Sequence, residues 1–210
     1  MSVVRATKTD VRRGRVLVAV DGSPPLKVPL ALMADFGLRV GQEVSPEQAE
    51  ALREASDRWE AREVALRLLG HRARSREELR QRLARRGYHS RICEEVLNRL
   101  QEVGLVDDLA FAREWTRSKL ARGPVGLLAL RAGLRRFALA HDVVEQVLAE
   151  EYEPQARHED LVLDVRKKWE QLRNLDRAKA YRRLGEYLAR RGFDRAQIED
   201  VVEEVVGDDG

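Results

Sequence analysis

The side chains in this chain most able to do chemistry are guanidinium groups. Arg82, Arg85 and Arg86 fall within one short stretch, and Arg117, Lys119, Arg131 and Arg135 follow soon after. Cations in this density bind phosphates or carboxylates, and the planar guanidinium fork offers paired donors to either. The other reactive types are not arranged for catalysis. His71, His89, His141 and His158 lie far apart without a ligand spacing, so no zinc site is expected. Cys93 is the single cysteine; it can form no internal disulfide and, next to Ile92, reads as a small buried hydrophobe. The adjacent carboxylates of Asp107 and Asp108 lack a third ligand nearby and read as a helix cap and its neighbour. Glycines stand singly at helix ends instead of forming a phosphate loop, and no serine sits in a nucleophile elbow. The residues therefore predict a binding protein with no catalytic site, no metal and no cofactor.

The cations are unevenly placed. Residues 62–136 hold 18 Lys and Arg against 9 Asp and Glu, while the remainder holds 21 against 27. A general preference for arginine over lysine explains the residue type but not this concentration in the middle. A basic centre between acidic flanks points to a polyanion or to an acidic protein surface. No run approaches the roughly 18 apolar residues of a membrane span. The opening MSVVRATKTD has no apolar core and no small-residue cleavage signal, so a cytoplasmic protein is expected.

The elements that must position these cations are helices. Ser75 stands where an N-cap is wanted with Glu78 three residues on, a capping-box spacing. Leu79 and Leu83 then make an apolar stripe, and Gly87 closes the helix as a left-handed cap. Ser90 is read as opening the next helix, whose Ile92, Val96, Leu97 and Leu100 share one face until Gly104. The pattern recurs. Leu79, Leu83, Gly87, Ile92, Val96 and Leu97 match Leu130, Leu134, Ala138, Val143, Val147 and Leu148 at the same spacing, and a third set is Leu184, Leu188, Gly192, Ile198, Val202 and Val206, with one extra residue after the glycine and looser agreement at the end. A period of roughly 50 residues suits a three-helix module, and the middle copy lacks the glycine at its turn.

Before the repeats, residues 11–29 are the one region read as strand. Arg15 to Val20 is short and β-branched, Asp21-Gly22 signals a turn, and Leu26 to Pro29 completes a hairpin that must lean on something else. A short helix is expected from Pro29 to Phe36, with turns at Gly37 and Gly41. Ser45, Pro46 and Gln48 mark a strong helix start, and Ala51, Leu52, Ala55, Trp59, Arg62, Ala65 and Leu66 follow at helical spacing up to Leu69. Later, Gly123-Pro124-Val125-Gly126 reads as a loop or hinge, and Asp176 and Asp194 as helix caps. The expected fold is mostly α: tandem three-helix repeats in an elongated array, with a small N-terminal β-hairpin. The expected division is an extension over 1–45, a linker helix with repeat 1 over 46–106, repeat 2 over 107–153 and repeat 3 over 154–207.

Ser75-Arg76-Glu77-Glu78-Leu79, Leu83 and Gly87, followed by Gly104-Leu105-Val106-Asp107-Asp108 and Phe111-Ala112, resemble the signature of the RecX family, regulators of the RecA recombinase. The resemblance spans about residues 55–206, and the segment before it is similar to a strand-bearing extension of some members. The chain departs from the family in repeat 2. Ala132-Gly133-Leu134 and Arg136-Phe137-Ala138 stand where the family has an acidic-Leu pair and a Lys-Gly turn. The resemblance implies binding to the RecA–single-stranded-DNA filament and restraint of its growth, strand exchange and ATP hydrolysis, by a protein with no catalytic site. The expected partner-binding residues are Arg82, Arg85, Arg86, Arg117, Lys119, Arg131 and Arg135, meeting DNA phosphates or acidic patches of the recombinase. A monomer is expected. Two rivals are a helical DNA-binding protein independent of any recombinase and a protein-only scaffold.

Overall fold

The structure is a computed structural model that describes residues 2–10, 14–20, 26–39, 42–153 and 158–207. The chain forms two compact units, Met1–Val106 and Asp107–Gly210.

The first unit begins with four antiparallel strands, β1 (Ser2–Asp10), β2 (Arg15–Val20), β3 (Leu26–Pro29) and β4 (Glu43–Val44), in the order β3-β2-β1-β4. The predicted β2/β3 pair is present, with Val16 opposite Val28 and Val18 opposite Leu26. Its Asp21-Gly22 turn and the Gly41 turn lie outside the described residues. The sheet is larger than the expected hairpin, because Ser2–Asp10 pairs along β2 with a register shift between Ala6 and Lys8. That segment is rich in Thr, Lys and Arg, and its strand comes from backbone pairing with β2, which a hydrophobic pattern does not announce. The sheet leans on α1 (Leu30–Asp35) and the first half of α2 (Pro46–Leu69). Val16, Val18, Val28, Leu38, Val44 and Leu52 form that core.

The α2 helix opens with the full capping box expected of Ser45 and Gln48. Its second half turns Ala61, Val64 and Ala65 into a second core with α3 (Arg76–Ala84) and α4 (Ser90–Glu102). The predicted stripe on α2 is only partly correct. Leu52 and Ala65 are buried, but Ala51 and Arg62 are exposed and Ala55, Trp59 and Leu66 half-buried, while Ser56, Ala61 and Val64 are inside. A 24-residue helix that serves two cores does not bury one stripe along its whole length. The Ser75 hydroxyl accepts the Glu78 amide as the capping spacing requires. The α4 cap is His89 instead of Ser90, with Nδ1 accepting the Arg91 amide at 3.3 Å. Cys93 is 1% exposed, and its burial pushes the thiol pKa up.

The second unit holds two three-helix modules. The first comprises α5 (Asp108–Leu120), α6 (Leu127–Arg135) and α7 (His141–Glu151). The second comprises α8 (His158–Glu170), α9 (Arg177–Arg190) and α10 (Arg195–Gly207). Asp107, Asp176 and Asp194 all accept amides of the turns they precede. The repeated leucine pair anchors every module: Leu79, Leu83, Leu130, Leu134, Leu184 and Leu188 are each 0% exposed. Fully burying one such side chain is worth about 1.5–3 kcal/mol.

The residue closing the middle helix has a left-handed backbone in all three modules, with φ of 89° at Gly87, 50° at Ala138 and 83° at Gly192. The conformation is therefore kept in the middle copy although its glycine is not. Ala138 bears the steric cost of its Cβ there. Around it, Phe137 packs edge-on against Phe111 (4.9 Å between centroids) and Trp115 (5.8 Å). A Cβ on Gly133 would meet the Trp115 ring at 2.1 Å. Gly133 is thus the groove that admits the indole.

The α6 N-terminus has no side-chain cap, because Gly126 occupies the cap position. Its amides are satisfied by the turn that ends α9: Gly126 donates to the Arg191 carbonyl (2.9 Å) and Leu128 to the Gly192 carbonyl (3.1 Å). Unpaired amides of one helix end meet unpaired carbonyls of another, with opposite dipole ends facing. Arg191 reinforces the joint by donating to the Pro124 carbonyl and pairing with Asp164 at 2.7 Å. The 123–126 stretch is a loop, and at Gly126 it is a fixed contact between modules.

Candidate functional site

The seven cations singled out by the sequence fall into two groups once their neighbours are known. In the first group the charge is already engaged. Arg82 places Nε 3.1 Å from Glu78 Oε1. Arg117 grips Glu151 with two parallel bonds of 2.7 and 2.6 Å, tying α5 to α7. Arg131 does the same to Glu145 at 2.8 and 2.7 Å, tying α6 to α7. The paired hydrogen bonds that Arg117 and Arg131 donate to Glu151 and Glu145 raise the pKa of both arginines. The bond from Arg131 holds Glu145 below the usual carboxylate value. Lys119 lies over the Trp115 ring, 5.4 Å from its centroid.

In the second group the charge is unspent. Arg85 and Arg86, in the turn that ends α3, and Arg135, the last residue of α6, are exposed and form no ion pair among the described residues. Arg136 and Arg190 share this condition and were not singled out from the sequence. A signal for them was present. Arg85, Arg136 and Arg190 each stand two residues before the left-handed residue of their module, so superposing the repeats on Gly87, Ala138 and Gly192 aligns them. The position is fixed by the fold, since the middle helix must end there for the leucine pair to stay inside. A cation there also opposes the negative end of the helix dipole.

Other ion pairs hold the modules together. Glu78, 17% exposed, receives Arg72 at 2.6 Å, Arg82, and the buried Arg74, which also donates to the Leu68 carbonyl. Burial alone would raise the Glu78 carboxyl, but the hydrogen bond and charge of Arg72 and the charge of Arg74 outweigh it and lower its pKa. Arg76 bridges α3 to α4 through Glu94 (2.5 Å) and Asn98 (2.7 Å). Arg58 and Arg113 make equivalent first-to-third-helix ties to Glu95 and Glu150. The arginine surplus thus divides between cross-braces and free surface groups, a division that residue type alone does not reveal.

Among the described residues no three His, Cys, Asp or Glu side chains gather to hold a metal ion, and no helix is long and apolar enough to cross a membrane. What the surface offers chemically is recognition of anions by free guanidinium groups, repeated at one point of each module.

Comparison with known proteins gives these features a family context. A family model described as the first three-helix domain of RecX matches residues 61–100, and one described as the third three-helix domain matches residues 164–202. The regulatory protein RecX of Mycolicibacterium vanbaalenii is 42% identical over 149 residues, covering 68% of this chain and 80% of that protein. That of Mycolicibacterium smegmatis is 40% identical over 148 residues, covering 68% and 78%. A crystal structure of regulatory protein RecX superposes with a TM-score of 0.73 at 21% identity, over 99% of this chain and 100% of that one, a likeness of fold.

Proposed function

The chain belongs to the RecX family, and on that premise we propose that it binds the RecA–single-stranded-DNA filament and restrains its growth, strand exchange and ATP hydrolysis without catalysing a reaction itself. The observation that carries this reading is the set of guanidiniums without an ion pair among the described residues at Arg85, Arg86 and Arg135, each at the end of the middle helix of its own module. Several weak contacts on linked modules combine through effective concentration, so a filament with many equivalent subunits is a suitable target. A bound regulator opposes ATP turnover by favouring one filament state over another, because equal affinity for both states would shift nothing.

All seven cations belong to the proposed surface, but not equally. Arg85, Arg86 and Arg135 engage DNA phosphates or acidic patches of the recombinase without breaking a salt bridge. Arg82, Arg117 and Arg131 must give up a carboxylate partner to do so, and Lys119 its place over Trp115. The working units are the four segments 1–45, 46–106, 107–153 and 154–207, in a cytoplasmic monomer.

The test is ATP hydrolysis by the cognate recombinase on single-stranded DNA, titrated with the full chain and with an Arg85→Ser/Arg86→Ser/Arg135→Ser variant. Wild type inhibits, with a dependence on salt. The variant keeps its thermal midpoint and needs at least tenfold more protein for the same inhibition. Equal inhibition by the variant would remove these residues from the surface. No inhibition by wild type, together with tight binding to bare DNA, would replace the reading with independent DNA binding.

A further inference from the structure

The first unit contains a cleft of about 250 Å³ between α1, α2 and α4 that the proposed arginine surface does not use. Its floor is apolar: Leu32, Ala55, Trp59, Val96 and Leu100. The indole of Trp59 is fixed in place by the Arg15 guanidinium, 4.5 Å from the ring centroid. Around the rim stand Arg58, Arg62 and Arg99, with Glu95 in the lining and Glu102 beside Arg99. Arg58 is engaged with Glu95 at 2.7 Å and Arg99 with Glu102 at 2.9 Å, both at exposed positions. Arg62 is exposed and makes no ion pair among the described residues.

We infer that this cleft takes one large aliphatic or aromatic side chain from an acidic segment of a partner protein, with the segment's carboxylates on the arginine rim. The volume decides the size of the occupant. It falls below the roughly 300–1,000 Å³ of small-molecule pockets and suits one or two side chains. The apolar floor offers nothing to a phosphate or a sugar. A nucleic-acid strand finds little here, because Trp59 is the one aromatic ring in the lining and Arg15 takes one of its faces, whereas single-strand sites line up several rings. The rim accepts an anion beside the anchor, the apolar floor makes a side-chain carboxylate of the anchor's own segment the fitting one, and Arg62 receives it without breaking an internal pair. The inference does not rest on the recombinase reading, because its measurement contains neither recombinase nor DNA turnover.

The probe is a synthetic twelve-residue peptide with a Leu-Phe pair flanked on both sides by Asp and Glu. Its binding to the full chain is followed by fluorescence anisotropy and by the indole N–H resonances of the three tryptophans, assigned by Trp→Phe variants. Binding should displace the Trp59 resonance and leave those of Trp115 and Trp169 in place. Replacing Leu-Phe by Ser-Ser should weaken binding at least tenfold. Ala55→Gln, which fills the cleft from a half-buried helical position, and Arg62→Glu, at an exposed one, should each weaken it at least fivefold with unchanged circular dichroism. Loss of folding in Ala55→Gln leaves Arg62→Glu to decide. The proposal is overturned by equal binding of the Ser-Ser peptide, by undiminished binding to Arg62→Glu, by displacement of the peptide from Trp59 by a twelve-nucleotide oligo-dT, or by no binding at millimolar peptide.

Discussion

Module 1 and module 2 share a pattern and solve the same problem differently. In module 1 the middle helix is capped by its own Ser75 and ends at Gly87, where a Cβ would meet nothing within 4 Å. In module 2 the middle helix has Gly126 at its cap and takes its hydrogen-bond acceptors from the turn after α9, far along the chain at Arg191 and Gly192. It then ends on Ala138 in a glycine's conformation. Module 1 is closed locally, whereas module 2 is completed by module 3. A repeat can therefore keep its leucines and its left-handed turn while delegating a helix cap to its neighbour. That delegation welds two repeats where a side-chain cap would leave them separable.

The largest effect should come from adding one methyl group to the weld. A Cβ on Gly192 would lie 2.2 Å from the Ala129 nitrogen, and one on Gly126 would lie 2.1 Å from the Gly192 oxygen. Gly192→Ala should cost roughly 3–5 kcal/mol in urea unfolding, since it combines a backbone clash with an unfavourable φ. Gly87→Ala, which faces only the φ term, should cost about 1 kcal/mol. Similar losses at both positions would mean that the α6–α9 contact contributes little.

Next comes the Glu78 hub. Its carboxyl pKa is lowered in the folded state. Stability from this group is therefore present above the unfolded carboxylate pKa and is lost as pH falls through the lower folded value. Glu78→Gln should cost about 1–3 kcal/mol at neutral pH and flatten the acid limb of the stability curve between the ordinary carboxylate range and more acidic pH. In the module 2 braces, Arg117 is largely exposed on Glu151, while Arg113 and Glu150 are each about one-third exposed. They should weaken in 1 M salt, where the partly buried Glu78 hub persists. A stability curve for Glu78→Gln parallel to wild type at acid pH would sink this account.

The smallest effect has the opposite sign. Ala138→Gly relieves a Cβ from the left-handed region at an exposed position and should stabilise the second unit by about 0.5–1 kcal/mol, read as a raised urea midpoint. A lowered midpoint would show that the methyl group makes contacts worth more than the strain.

Much of this was legible before any coordinates. The leucine pairs, the left-handed turn at Gly87, the caps at Ser45, Asp176 and Asp194, a cap at one of Asp107 and Asp108, and the buried Cys93 follow from local rules, because a helix has one period, a short list of end signals and an apolar face that must be covered. The strand at Ser2–Asp10 was missed because its partner defines it. The α2 stripe was misjudged because two different cores divide that helix. The seven cations are legible by type and density, but their state is not: Arg131 and Arg135 differ little in sequence context, yet Arg131 is clamped on Glu145 by two hydrogen bonds, whereas Arg135 reaches that carboxylate only through its charge.

The amino-acid sequence by itself determined the repeat, its period, its helical class and the concentration of positive charge, since each rests on spacing within a few turns of chain. Only the tertiary structure decided which arginines brace and which remain available, and that a glycine at position 126 marks a joint. Those outcomes depend on groups distant in sequence coming within hydrogen-bonding distance, which local spacing does not encode.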